Sequence, residues 1–174
     1  PAEVLGTVPS NQKVYDEILK KYNQIPPNIK IILPSDKTST YSAMKICDCV
    51  LVYGTKTAIE LASLGQRVIV AGESWARGKG FTVDVESVSQ YENILKNIES
   101  IDIMDSNQLQ LARKYAYHLF FRRMIPVKAL KKINAFGPYK INIKYISELE
   151  DGYDKGLDTI CNAILDKKEF IYAE

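Results

Sequence analysis

The sequence predicts an α/β fold with a parallel sheet flanked by helices, on three observations. Short apolar runs of strand length alternate with helix-patterned segments. The connections between them are only a few residues long, which favours right-handed crossovers. The strand runs are continuously apolar, the pattern of strands covered on both faces.

"SNQKVYDEILKKY" opens on Ser10, a candidate N-cap, and spaces Val14, Ile18 and Leu19 along one helical face. After Pro26-Pro27, "IKIIL" (29–33) reads as the first buried strand. "STYSAMKIC" is a short helix, "CVLVY" a second strand, "TAIELASLG" a helix ended by Gly65, and "RVIVAG" a third strand. "SVSQYENILKNI" is a capped helix, and "NQLQLARKYAYHLFFRRM" a longer one stopped by Pro126. The last helix is "KGLDTICNAILD", while the segment 127–146 fits no simple period. The expected division is a domain over residues 1–125 and a helical C-terminal extension over 126–174, packed on the same domain.

Composition narrows the function classes. The chain has 174 residues, 46% of them hydrophobic and 25% charged, which is an ordinary globular balance. No apolar run reaches the length of a membrane span, and the opening residues carry no signal-peptide pattern, so a cytoplasmic protein is expected. The chain opens on Pro1 without an initiating Met, as a segment of something longer would. Cys47, Cys49 and Cys161 are expected as reduced thiols, because "CDC" without a second ligand pair is no zinc pattern.

In a parallel α/β sheet, ligands bind beyond the carboxyl ends of the strands. The loops there are Ser35 to Tyr41, Tyr53 to Thr57, and Gly72 to Gly80. Gly54 would let backbone approach a ligand, and Thr55, Lys56 and Thr57 offer helix-terminal N–H groups, two hydroxyls and a cation, the chemistry that holds a phosphate. Glu60 shares their helix face and can accept from two vicinal ribose hydroxyls. The same residues also satisfy an ordinary reading, with Gly54 as a turn residue, Thr55 as an N-cap and Glu60 as a charge favoured by the helix dipole.

"GESWARGKGF" is not a phosphate loop of the ATPase type, since five residues rather than four separate Gly72 from Gly78, and Gly80 stands where a magnesium-binding hydroxyl belongs. It remains a glycine-rich loop whose Arg77 and Lys79 can close on an anion, and Trp75 either stacks on a ligand or plugs the loop onto the core. His118, the sole histidine, reads as a packing or surface residue, and no nucleophile relay forms around it. From Ser106 to Ser147 there are nine Lys and Arg and no Asp or Glu, so the rest of the chain is net acidic by seven. Interleaved with Tyr115, Tyr117, Phe120 and Phe121, that basic region (106–147) suits an anionic membrane surface or an anionic glycan or lipid-phosphate acceptor, or else a solvated face; no nucleic-acid motif accompanies it.

"STYSAMKICDCVLVYGTKTAIELASLGQRVIVAGESWARGKGFT" together with "ARKYAYHLFFRRMIPV" resembles the C-terminal half of bacterial capsule and surface polysaccharide biosynthesis proteins, which are GT-B type glycosyltransferases. The opening "PAE" is similar to the end of that family's His-Pro-x-Glu motif. The resemblance covers residues 1 to about 130 and is most specific between Ser39 and Thr82. It implies a Rossmann-like domain that binds a nucleotide-sugar donor without metal or other cofactor, with the acceptor-binding half absent. By position it implies that Gly54 to Thr57 and Glu60 hold the donor phosphates and ribose, that Thr40 and Tyr41 border base or sugar, and that Arg77 and Lys79 face the leaving phosphate. No catalytic base is identifiable. A nucleotide-sugar epimerase and a non-enzymatic interaction module are the alternatives, the epimerase disfavoured because Tyr-Gly-Thr-Lys stands where Asp-Ser-Gly-Gly is usual.

Overall fold

A computed structural model describes residues 10–133 and 138–173. The "PAE" opening lies outside the described residues. The first helix among the described residues, α1 (Val14–Tyr22), contributes nothing to the main core. Then come α2 (Thr40–Lys45), β1 (Cys49–Val52), α3 (Thr57–Ser63), β2 (Arg67–Val70), β3 (Val83–Asp84), α4 (Val88–Lys96) and α5 (Ser106–Tyr117). A π-helical turn, His118–Arg123, continues α5, and a hairpin of β4 (Leu130–Lys132) and β5 (Tyr139–Ile141) precedes α6 (Lys155–Leu165).

The chain is thus a mixed α/β protein with a three-stranded parallel sheet, order β1-β2-β3, flanked by helices. β1 and β2 pair in register from Cys49 opposite Arg67 to Val52 opposite Val70. β2 is central and accordingly the most buried strand, with Val68, Ile69 and Val70 fully inaccessible. Together with Ile59, Leu61 and Phe81 they form the heart of the core, each burial stabilising by about 1.5–3 kcal/mol. Helix α3 lies over this sheet through Ala58, Ile59, Leu61 and Ala62, and α5 closes the core with Ala112 and Ala116. The turn from α3 into β2 is a Schellman motif: Gln66 N–H donates to the Leu61 carbonyl and Gly65 N–H to that of Ala62, with Gly65 at a φ of 90° where glycine alone is unstrained.

Five expectations need correction. "IKIIL" does not form a strand. Prolines 26, 27 and 34 bracket it, Ile29 N–H closes a turn onto Pro26, and the Asp36 carboxylate accepts from Leu33 N–H, so local turn chemistry outcompetes the ladder that its hydrophobicity favours. Ile32 and Leu33 instead line a cavity of about 400 Å³ beside β1. β1 is therefore an edge strand, with alternate burial and Leu51 41% exposed, not a strand covered on both sides. Ser10 does not cap α1; Lys13 takes the N-cap position, after a bend over Asn11 and Gln12. The C-terminal extension is not wholly helical, because 130–141 carries the hairpin. Finally, the long helix does not run in α geometry to Met124 but widens at His118.

Among the described residues no helix is long and apolar enough to cross a membrane, and no three His, Cys, Asp or Glu gather as a metal site. The three cysteines are free thiols.

Candidate functional site

The parallel register of β1 and β2 sets their carboxyl ends side by side, and two short bonds extend the pairing into the loops: Ala71 N–H to the Val52 carbonyl at 2.8 Å and Gly72 N–H to that of Tyr53 at 3.0 Å. The loops 53–56 and 71–76 are consequently neighbours. Gly54 is a glycine because of this contact: a Cβ there would sit 2.5 Å from the Glu73 carbonyl oxygen, so the close approach it permits is between two stretches of this chain. Ser74 Oγ donates to the Thr55 carbonyl across the same gap at 3.4 Å.

Thr55 organises the entry into α3. Its hydroxyl oxygen accepts from Thr57 N–H at 3.3 Å and its proton goes to Thr57 Oγ1 at 3.1 Å. One of the first-turn N–H groups expected to be open to a phosphate is thus bonded within the chain. Lys56 carries the positive charge of the turn and holds its ammonium 5.7 Å from the centroid of the Trp75 ring, a cation–π contact at an exposed site.

Glu60 stands one turn into α3, half-buried, and receives the Tyr41 hydroxyl at 2.5 Å. Tyr41 comes from α2, nineteen residues away in sequence, so this bond fastens α2 to α3 on the side of the strand ends. The hydrogen bond to the carboxylate, followed by desolvation and the carboxylate's charge, raises the Tyr41 phenol above its ordinary titration range. Six groups with complementary chemistry therefore gather here: the Tyr41, Thr55 and Thr57 hydroxyls, the Lys56 ammonium, the Glu60 carboxylate and the Trp75 ring.

The other predicted residues are engaged elsewhere. Thr40 lines the cavity beside β1 with Ile32, Leu33, Met44 and Leu51. Arg77 Nη2 donates to the Val85 carbonyl at 2.8 Å and pairs with Glu86 at 3.0 Å, while Lys79 holds its ammonium 5.7 Å over the Tyr115 ring. Arg77, expected to face a leaving phosphate, is held by these bonds as a latch between the loop and the end of β3. Asp84, which the sequence did not single out, completes the latch by accepting from Gly78 N–H at 2.6 Å and Thr82 Oγ1 at 2.7 Å. Gly78 and Gly80, at φ of 69° and 81°, supply the left-handed turns that this closed loop requires. The spacing of Thr82 and Asp84 after a Gly-Lys-Gly run was the available signal for such a clasp.

Compared with models of protein families, with curated proteins and with solved structures, the chain matches none.

Proposed function

We propose that this chain is the donor-binding half of a glycosyltransferase that uses a nucleotide sugar in capsule or surface polysaccharide synthesis, built as the Rossmann-like C-terminal half of a GT-B fold. The reading is supported above all by one observation, the Glu60 carboxylate held by Tyr41 beside two threonine hydroxyls and Lys56 at the carboxyl ends of β1 and β2. That is where an open parallel sheet takes its ligands.

The chemistry assigns each group a part. Glu60 keeps acceptor capacity beyond the bond from Tyr41 and takes a ribose hydroxyl, Thr55 and Thr57 bond phosphate oxygens, and the Trp75 ring packs on a flat part of the donor. Breakage of the anomeric bond leaves charge on the departing phosphate, which Lys56 stabilises in a place fixed before reaction, with no metal required. Arg77, latched to Val85 and Glu86, shapes the loop beside it. The acceptor, a glycan or lipid-linked sugar, belongs to the other half of the enzyme, and the basic region 106–147 carries the assembly to the inner face of a membrane in the cytoplasm.

Calorimetric titration of the chain with UDP, CDP, GDP and CMP, with and without chelator, tests the reading. One nucleotide should bind in both conditions, and the isolated chain should transfer no sugar. Failure of all four to bind would remove the nucleotide from the site.

A further inference from the structure

The widening of α5 at His118 has a geometric effect on its side chains. In an α-helix, residues five apart diverge by about 140° around the axis. A π turn bonds residues five apart and brings them to one side, and such turns recur at functional sites. Here the turn His118–Arg123 places both its end residues on the rim of one cavity. The cavity is about 570 Å³ and is lined by Trp75, Tyr115, His118, Leu119, Arg123 and Glu169. That volume lies within the range of small-ligand sites. The irregular C-terminal segment that brings Glu169 there is tied down, since Tyr172 N–H donates to the Arg122 carbonyl at 2.7 Å and Lys155 lies over the Tyr172 ring.

The lining leaves polar groups open to solvent, with Arg123 and Glu169 both exposed. Among the described residues, the side chains of His118, Arg123 and Glu169 have neither a hydrogen bond nor an ion pair. Tyr115 is anchored to the loop, its hydroxyl donating to the Trp75 backbone carbonyl at 2.8 Å. Trp75 keeps 57% of its surface exposed. An exposed indole beside planar polar side chains is matched by a pyranose, which has an apolar C–H face for the ring and vicinal hydroxyls for bidentate partners. The guanidinium fork of Arg123 adds affinity for a carboxylate.

We propose that the cavity between the π turn, Trp75 and Glu169 is a binding site for an acidic saccharide, with Trp75 against the sugar's apolar face, Glu169 and His118 on its hydroxyls, and Arg123 on its carboxylate. The site shares the Trp75 ring with the cluster around Glu60 but does not rest on the donor reading, because its polar contacts, from His118, Arg123 and Glu169, belong to none of that cluster's residues.

Trp75 is the only tryptophan, so its emission reports the cavity directly. The full chain is titrated with glucuronate, glucose, acetate and inorganic phosphate. Glucuronate should give a saturable change, glucose should bind about tenfold more weakly for want of the charge-assisted bond to Arg123, and the two simple anions should give none. Arg123→Ala should weaken glucuronate by about tenfold and abolish its advantage over glucose, and Glu169→Ala should weaken both sugars alike. Far-UV circular dichroism of each variant guards against misfolding, and nucleotide titration of the same variants reads the donor cluster separately. Absence of saturation with glucuronate, equal binding of acetate, equal binding of glucose, or an Arg123→Ala variant with unchanged affinity would each overturn the assignment.

Discussion

At the scale of single residues, Glu60 decides whether the cluster at the strand ends is a site or a structural knot. If it accepts from a ribose, Glu60→Ala should weaken nucleotide binding by about 1–3 kcal/mol through the lost charge-assisted bonds. Equal affinity of wild type and variant, measured calorimetrically, would leave Glu60 only its bond to Tyr41. That bond has its own signature. Because the folded phenol loses its proton at a higher pH than the unfolded one, the contact favours the fold below the ordinary tyrosine value and ceases to do so as pH rises through the raised folded value. The Tyr41 ring carbons, followed by NMR against pH, should therefore titrate late, and Glu60→Gln should bring the titration back towards the ordinary range. Glu60 itself was legible in the sequence from its place on the helix face, whereas Tyr41 was legible only as a neighbour of the ligand. Nothing in local spacing announces a bond across nineteen residues.

Elements repeat the same division between local and distant causes. Caps and turns follow sequence rules: Ser87 accepts from Gln90 N–H to start α4, Asp105 and Gln108 form a capping box on α5, and Gly65 ends α3. The hairpin did not follow them, since every residue of β4 and β5 is exposed and a strand with no buried face leaves no alternation to read. What holds that region is Asp154, a buried carboxylate that accepts from Lys128 N–H at 2.7 Å and Ala129 N–H at 3.3 Å while capping α6 through Gly156 and Leu157 N–H. One side chain thus fastens the entry of the hairpin to the start of the last helix. Asp154→Ala should cost about 2–4 kcal/mol in urea unfolding, combining a lost cap with buried N–H groups left unbonded. Gly156 is as constrained, because a Cβ there would lie 1.7 Å from the Pro126 carbonyl oxygen. Gly156→Ala should therefore destabilise comparably, despite alanine's better helix propensity.

For the whole molecule, the alternation of helix and strand was enough to give a parallel sheet with helices on it, and "IKIIL" shows where that reasoning stops. Hydrophobicity says that a segment should leave water, and Ile32 and Leu33 do so in part against β1, but pairing also needs backbone free of competing turns. The loop Gly72 to Gly80 shows the converse: its glycines suit a loop that closes on an anion, and bonds involving Arg77, Thr82 and Asp84 tie it to the chain itself. This has a kinetic consequence. A ligand that meets a loop already tied at both ends waits for no rearrangement, so its association should be a single phase with a rate linear in ligand concentration and a constant of about 10⁵–10⁷ M⁻¹s⁻¹. Arg77→Ala would cut one tie, and stopped-flow detection of Trp75 emission should then resolve a second, slower phase whose rate levels off at high ligand, the time the freed loop takes to find its shape.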